Sequence, residues 1–262
     1  MSGRVEGRSI LVTGGGSGMG RVVSIALAKE GAGVTIVDLN ADAAKAVADE
    51  IIAAGGKAVS IAGNVTERAD VAKAVETAVE AFGKLDVLFA IAGMIKPQKF
   101  LEITEDNFRL TLDVNALGTL ICQQEAAKQM IKQGHGGKLI LTSSIAGRQG
   151  YGNFGSYCVS KFGVIALNQS AANALAEHHI TSNAFAPGVV DTPLWKKLDE
   201  DLVEIGASAK VGQAWDEFSG ANLIGRKGVA EDVIGTALFL ASSDSDYMTG
   251  QVMMIDGGMV LV

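Results

Sequence analysis

The strongest constraint on this chain is a hydrophobic period that switches back and forth between that of a strand and that of a helix. Ser9-Ile10-Leu11-Val12-Thr13 is a short apolar run of the kind a strand buried on both faces requires. A helical pattern follows from Gly18 to about Glu30, with Val22, Ile25, Ala26 and Leu27 on the apolar side and Gly31 and Gly33 as its stop. Val34 to Asp38 reads as the next strand. The alternation continues with a helix over Ala41 to Ala54, a strand over Ala58 to Ala62, a helix over Glu67 to Phe82 and a strand over Asp86 to Ala90. Later strands are expected at Lys138 to Thr142, Thr181 to Ala186 and Gln251 to Ile255. Helices are expected near Asn107 to Lys132, Tyr157 to Glu177 and Val229 to Ala241. Such a βαβαβ rhythm predicts an α/β fold: a doubly wound, mostly parallel sheet with helices on both faces. No Pro- or Ser-rich linker and no repeat of fixed period interrupts it, so residues 1–262 are expected to form one domain.

Composition removes several function classes. With 48% hydrophobic and 19% charged residues the chain can bury a substantial core. A net charge of −7 without a long basic run argues against nucleic acid and anionic membrane as partners. No apolar run approaches the ~18 residues that span a bilayer, and Met1 to Arg8 lacks the apolar region of a secretory signal. Cys122 and Cys158 are too few for a disulfide framework and form no ligand cluster, so both are expected as free thiols in the reducing cytoplasm. His135, His178 and His179 lack metal-ligand spacing, and no metal is expected. The His178-His179 pair reads as a helix C-terminal end.

One stretch departs from the rhythm. Residues 193–228 are long for a strand-to-helix connection, are acidic at Asp199, Glu200, Asp201 and Glu204, and carry Trp195 and Trp215. A segment of that length predicts a lid over a binding site.

Thr13-Gly14-Gly15-Gly16-Ser17-Gly18-Met19-Gly20 joins the first strand to the first helix. In that context the glycines suit a pyrophosphate. Gly14 permits the tight turn, Gly18 a close backbone approach and Gly20 close helix–strand packing, while the helix N-terminus offers free N–H groups. Asp38 ends the second strand, where a carboxylate accepts hydrogen bonds from the adenosine ribose hydroxyls and repels a 2′-phosphate. Ser17, Leu39 and Asn40 provide no compensating cation, so the expected cofactor is NAD rather than NADP.

Tyr157 and Lys161 lie at i and i+4, on one helix face, and Ser144 lies thirteen residues upstream. A tyrosine with an ordinary pKa of about 10 exchanges protons poorly near neutrality. A neighbouring ammonium and a cationic nicotinamide both favour the tyrosinate and are expected to lower it. Tyr157 then serves as acid/base, Lys161 as its cation and ribose contact, and Ser144 as the hydroxyl that orients the substrate oxygen, with Ser143 as the rival serine.

Together these features resemble the short-chain dehydrogenase/reductase family over nearly the whole chain. The motifs stand in order: Thr13-Gly14-x-x-x-Gly18-x-Gly20, Asn64-Val65, Ala92-Gly93, Asn115, Ser144, Tyr157-x-x-x-Lys161 and Pro187-Gly188-x-x-x-Thr192. The resemblance implies a Rossmann-like sheet of about seven strands and a homotetramer, with the helices near Asn107 to Lys132 and Tyr157 to Glu177 paired between subunits. It implies that Asn115, within Val114-Asn115-Ala116-Leu117-Gly118, binds a water of the proton relay. The implied cofactor contacts are Gly14, Ser17, Gly18, Met19, Gly20, Asp38, Leu39, Asn64, Val65, Ala92, Gly93, Tyr157, Lys161, Pro187, Gly188, Val190 and Thr192. In these, the Asn64 side-chain carbonyl meets the adenine amino group and Thr192 the nicotinamide carboxamide. One departure is Ala90-Ile91 before Ala92-Gly93, where the family has two asparagines that tie the central sheet.

For substrate, Pro187 to Trp195 and the ending Gly250 to Met259 resemble acetoin reductases (2,3-butanediol dehydrogenases). Gly136-Gly137-Lys138 and Tyr157-Cys158 resemble sorbitol and galactitol dehydrogenases. The implied reaction joins a secondary alcohol (a vicinal diol, polyol or small hydroxyketone) to its ketone. Alternatives are a reductase of bulkier cyclic or steroid-like ketones and a non-catalytic NAD-binding sensor. Substrate contacts are expected from Ile145, Tyr151, Asn153 and Trp195. Ile145 is apolar where these relatives often place a glutamine. The apolar end Met259-Val260-Leu261-Val262 is expected to be buried against a neighbouring subunit.

Overall fold

The computed structural model describes residues 3–262. In chain order the elements are β1 (Ser9–Thr13), α1 (Gly18–Lys29), β2 (Gly33–Asp38), α2 (Ala41–Ala53), β3 (Lys57–Ala62), α3 (Arg68–Phe82), β4 (Val87–Ala90), α4 (Glu105–Leu112), α5 (Gly118–Gln133), β5 (Gly137–Thr142), α6 (Gly155–Leu175), β6 (Ile180–Pro187), β7 (Val190–Asp191), α7 (Pro193–Glu204), α8 (Gln213–Ser219), β8 (Gly228–Val229), α9 (Ile234–Ala241) and β9 (Val252–Ile255). Seven strands form one parallel sheet in the order β3-β2-β1-β4-β5-β6-β9. The order reverses between β1 and β4, and ligands of such sheets bind in the crevice beyond the strand ends at that point.

Side chains alternate across the sheet with period two. Ile10 and Val12 of β1 join Phe89, Ile140 and Phe185 in a core with α1, α2 and α9. Leu11 joins Leu88, Leu141 and Val164 in a second core with α3, α5 and α6 on the opposite face. Because β1 is buried on both faces, it reads as a continuous run rather than an alternating one. Phe89 is fully buried at the centre, where truncation to alanine costs about 3–5 kcal/mol.

One expectation is corrected and one element is added. The stretch Asn107 to Lys132 is not one helix: α4 and α5 are joined by a π-helical turn over Asp113–Leu117, which carries Asn115. In addition to the main sheet, β7 and β8 pair as a small parallel sheet, Val190 with Gly228 and Asp191 with Val229. This pair closes the base of the 193–228 excursion, which folds as α7, α8 and their loops. Asp199 is buried there, and its carboxylate accepts from the backbone N–H groups of Gly212 and Trp215, fixing α8 against α7. Within its last residues, the backbone N–H groups of Leu223 and Ile224 donate to the Gly257 carbonyl beyond β9. His179 follows the short 3₁₀ turn Ala176–His178 with φ 57°, so the histidine pair does end the α6 segment.

Candidate active site

At the sheet reversal, the loop after β1 lies against the loop after β4. Gly14 has φ 67°, and a Cβ there would stand 2.8 Å from the Ala92 Cα. Gly18 also has positive φ, 49°. A Cβ on Gly20 would strike the Gly14 carbonyl oxygen, so this glycine lets α1 sit close against the chain as it leaves β1. Ser17 is the exposed N-cap of α1 and makes no side-chain cap bond.

Asp38 accepts from the Gly16 backbone N–H at 2.9 Å through Oδ2 and from that of Asn40 at 3.0 Å through Oδ1. It is therefore a fixed acceptor, with lone pairs to spare on both oxygens. Leu39 beside it is exposed. Gly14, Ser17, Gly18, Met19, Gly20, Asp38, Leu39, Asn64, Val65, Ala92 and Gly93 line one groove. A groove whose walls Gly14 and Gly20 let approach this closely, with a carboxylate at its far strand end, suits a nicotinamide dinucleotide.

Within this groove the Asn64 side-chain carbonyl is turned onto its own chain, accepting from the Thr66 N–H at 3.1 Å, and its backbone N–H donates to Asp70. That bond fixes the carbonyl's direction and leaves its second lone pair for a donor in the groove. The chain at Ala90-Ile91 is held by Thr13. Its hydroxyl oxygen accepts from the Ile91 and Ala92 N–H groups at 3.2 and 3.4 Å, stitching β4's end to β1. Ala90 is buried in the apolar core, where an asparagine side chain would need partners.

The groove opens, across Met19, Ile91, Gly93, Met94, Thr192 and Leu194, into a second cavity of about 880 Å³ including its mouth. Ser144, Ile145, Tyr151, Tyr157, Lys161, Pro187, Gly188, Val190 and Trp195 line it. The distribution of hydrogen bonds separates the two serines. Ser143 Oγ donates to the Lys161 carbonyl at 3.0 Å, whereas Ser144 Oγ accepts from the Ala146 N–H at 3.1 Å and has its hydroxyl beside Tyr157. Lys161 is buried, donates to the Thr142 carbonyl at 2.9 Å, and holds its Nζ 5.5 Å from the Tyr157 ring centroid.

Burial dominates both titrating groups. It pushes Tyr157 up to about 12, against the pull of the Ser144 hydroxyl. It brings Lys161 down to about 8. The expected lowering of the tyrosine by its lysine is therefore not a property of the protein alone. The protein without a bound cation holds Tyr157 in its acid form.

Asn115 is buried, and its side chain is occupied. Its Oδ1 accepts from the Met94 N–H at 2.8 Å, while Nδ2 donates to the Met94 carbonyl at 2.9 Å and to Ser160 Oγ at 3.0 Å. This clamp fixes the loop after Gly93 to α6, one residue from Lys161. Thr192 caps α7, accepting from the Trp195 N–H and donating to the Val190 carbonyl, both at 3.4 Å. It thus ties the expected nicotinamide contact to the lid.

Asn153 does not line the cavity, and its carbonyl accepts from Gln98 N–H. The neighbouring Phe154 does line it, as do Leu198 and Phe218. These three were missed, although a signal existed: Trp195, Leu198 and Leu202 fall on one face of α7, and Phe218 lies three residues after Trp215 on α8. Among the described residues no group of three His, Cys, Asp or Glu could hold a metal ion, and no helix is long and apolar enough to cross a membrane.

The family model described as Enoyl-(Acyl carrier protein) reductase matches residues 14–260. A "Diacetyl reductase [(S)-acetoin forming]" of Staphylococcus epidermidis is 36% identical over 97% of this chain and 98% of its own length. A sorbitol dehydrogenase of Cereibacter sphaeroides is 38% identical over 97% of this chain and 98% of its own. The solved structure of levodione reductase superposes with a TM-score of 0.90 at 30% identity, covering 97% of this chain and 98% of that one. With a match of this extent and the Ser144, Tyr157 and Lys161 cluster in one cavity, the chain belongs to the short-chain dehydrogenase/reductase family of oxidoreductases.

Proposed function

We propose that this protein interconverts a secondary alcohol and its ketone, using NAD(H). The observation that carries the reading is the junction of the glycine groove with a cavity that holds Ser144, Tyr157 and Lys161. When bound, the nicotinamide donates or accepts the hydride. Gly14, Ser17, Gly18, Met19 and Gly20 would hold the pyrophosphate, Asp38 and Leu39 the adenosine ribose. Asn64, Val65, Ala92 and Gly93 would flank the adenosine, and Pro187, Gly188, Val190 and Thr192 the nicotinamide end. Asp38 supports NAD over NADP, because a 2′-phosphate there would face a carboxylate already held by two N–H donors.

The residues of the chain handle the proton. Ser144 donates to the substrate oxygen, and Tyr157, kept protonated by burial, gives its proton to that oxygen during reduction. Lys161 positions the ribose and, as an ammonium, stabilises the tyrosinate that results. Asn115 is a positioning residue, because its side chain is consumed by Met94 and Ser160. In the oxidative direction, a cationic nicotinamide opposes the burial that raises Tyr157.

The relatives named for acetoin formation and sorbitol favour a vicinal diol, polyol or small hydroxyketone. The apolar, aromatic lining of the cavity favours a second reading, a bulkier cyclic ketone. A homotetramer in the cytoplasm completes the proposal, supported by exposed Leu117 and Ile131 near the ends of α5 and exposed Val159 and Phe162 on α6.

Steady-state assays test it. Tyr157→Phe is expected to lower kcat by at least about a hundredfold, the scale of a lost general acid, while NADH still binds in calorimetry. Most of the turnover retained in the variant, or comparable kcat/KM with NADPH and NADH in the parent, would defeat the respective part.

A further inference from the structure

Within the oxidoreductase reading, on which this inference rests, we infer that the substrate carries a ring or similarly rigid apolar body and that open-chain polyols are poor substrates. Tyr151, Phe154, Trp195 and Phe218 form an aromatic cage in the cavity wall. Phe218 is its hub, with ring centroids 6.2 Å from Tyr151, 6.1 Å from Phe154 and 5.9 Å from Trp195, and Tyr151 and Phe154 are 6.3 Å apart. These separations and tilted planes are those of favourable aromatic pairs, so the cage is preformed rather than assembled by a ligand. Trp215 backs Trp195 at 5.7 Å, and Lys227 covers the Trp215 ring at 5.3 Å.

The polar groups of the cavity point to the same conclusion. Among the described residues lining it there is no carboxylate, carboxamide, imidazole or guanidinium. Lys161 is its one charged residue; it donates to the Thr142 carbonyl and, in the proposed mechanism, serves the cofactor ribose and Tyr157. The four cage rings offer only the Tyr151 hydroxyl and the Trp195 Nε1–H, a buried donor without a partner. Ile145, beside Ser144, is buried and adds none.

A polyol has a hydroxyl on every carbon, and each one buried without a partner lowers binding on the order of tenfold. A ring instead exchanges water for aromatic faces. Its reacting carbon needs only the single oxygen that Ser144 and Tyr157 address.

The test is NADH oxidation with methylcyclohexanones and 1-phenyl-1-propanone against acetoin, diacetyl and fructose. The ring ketones are expected to exceed acetoin in kcat/KM by about tenfold and fructose by about a hundredfold. Phe218→Ala should reduce the ring-to-acetoin ratio about tenfold, mostly through KM. Phe218→Leu keeps an apolar filler should the alanine variant fail to fold, and is expected to reduce the ratio in the same direction. Ile145→Gln, which adds a polar handle, should narrow the gap to fructose.

Preference for acetoin or fructose, or a ratio indifferent to Phe218, overturns the inference while leaving the oxidoreductase reading standing. Loss of turnover with every carbonyl defeats that reading, and tryptophan emission then decides the cage directly. Trp195 and Trp215 are the only two tryptophans of the chain. Saturable quenching by ring ketones but not by acetoin or fructose supports the cage, and the reverse order overturns it.

Discussion

Tyr157 and Lys161 are displaced from their solution behaviour by the same cause, burial, and with opposite consequences for charge. The tyrosine, pushed up to about 12, stays neutral. The lysine, brought down to about 8, keeps its charge only at and below mildly alkaline pH. Ketone reduction needs the neutral tyrosine and the ammonium together. The kcat/KM for reduction with NADH should therefore hold to about pH 8 and fall above it; a profile flat to pH 10 would remove the ammonium from the mechanism.

The sign for stability is different. Between about 8 and 10.5 the unfolded lysine holds a proton that the folded one has lost, so this group makes the protein more stable as pH rises through that window. Its cost at neutral pH is at most about 3–4 kcal/mol, taking ~1.4 kcal/mol per pKa unit. Lys161→Met should abolish turnover yet leave a protein at least as heat-stable as the parent by calorimetry; a clear drop in Tm would show that the bond to the Thr142 carbonyl outweighs desolvation. The spacing of Tyr157, Lys161 and Ser144 was legible in the sequence because i and i+4 must share a helix face. The direction of the tyrosine shift was not, because the burial that sets it comes from lid residues some forty to sixty positions away in the chain.

At the scale of elements, strands and helices followed the hydrophobic period closely, with most boundaries within a residue or two of expectation. The break at Asp113–Leu117 had no such signal: its residues suit an ordinary helix, and the π turn owes its place to the Asn115 clamp on Met94 and Ser160. The lid was legible as an interruption but not in its internal contacts. In the sequence Asp199 stands as one of four undistinguished acids, whereas it is the buried acceptor that locks Trp215 and Gly212. Asp199→Ala should therefore loosen the lid: KM for the ketone rises several-fold, kcat changes less, and tryptophan emission shifts to the red as Trp195 and Trp215 separate. Unchanged emission and KM would assign Asp199 to local stability alone.

For the molecule as a whole, the isolated chain leaves Val159 and Phe162 47% exposed on α6, and Leu261 and Val262 81% and 78% exposed at its end. A tetramer would cover such surface, and sedimentation should find four chains. Phe162→Glu should shift the population toward smaller species and weaken turnover, since α6 carries Tyr157 and Lys161. A parent that sediments as a monomer would contradict the assembly. Neither the exposed end nor the partner helices could be settled from one sequence, because complementarity is a property of two surfaces.

The β7–β8 pair has a consequence for how this enzyme can change. Because Val190-Asp191 and Gly228-Val229 hold the two ends of the 193–228 excursion together, the chain leaves and rejoins the nucleotide fold at nearly one point. The excursion is in effect a cassette. Exchanging its middle for one of another length leaves the register of the seven-stranded sheet untouched, provided that Pro193 and Leu194, which line the glycine groove, and the bonds of Leu223 and Ile224 to Gly257 are kept. Substrate choice on this scaffold can thus drift by replacement of a whole segment, while the machinery that holds the hydride carrier stays fixed.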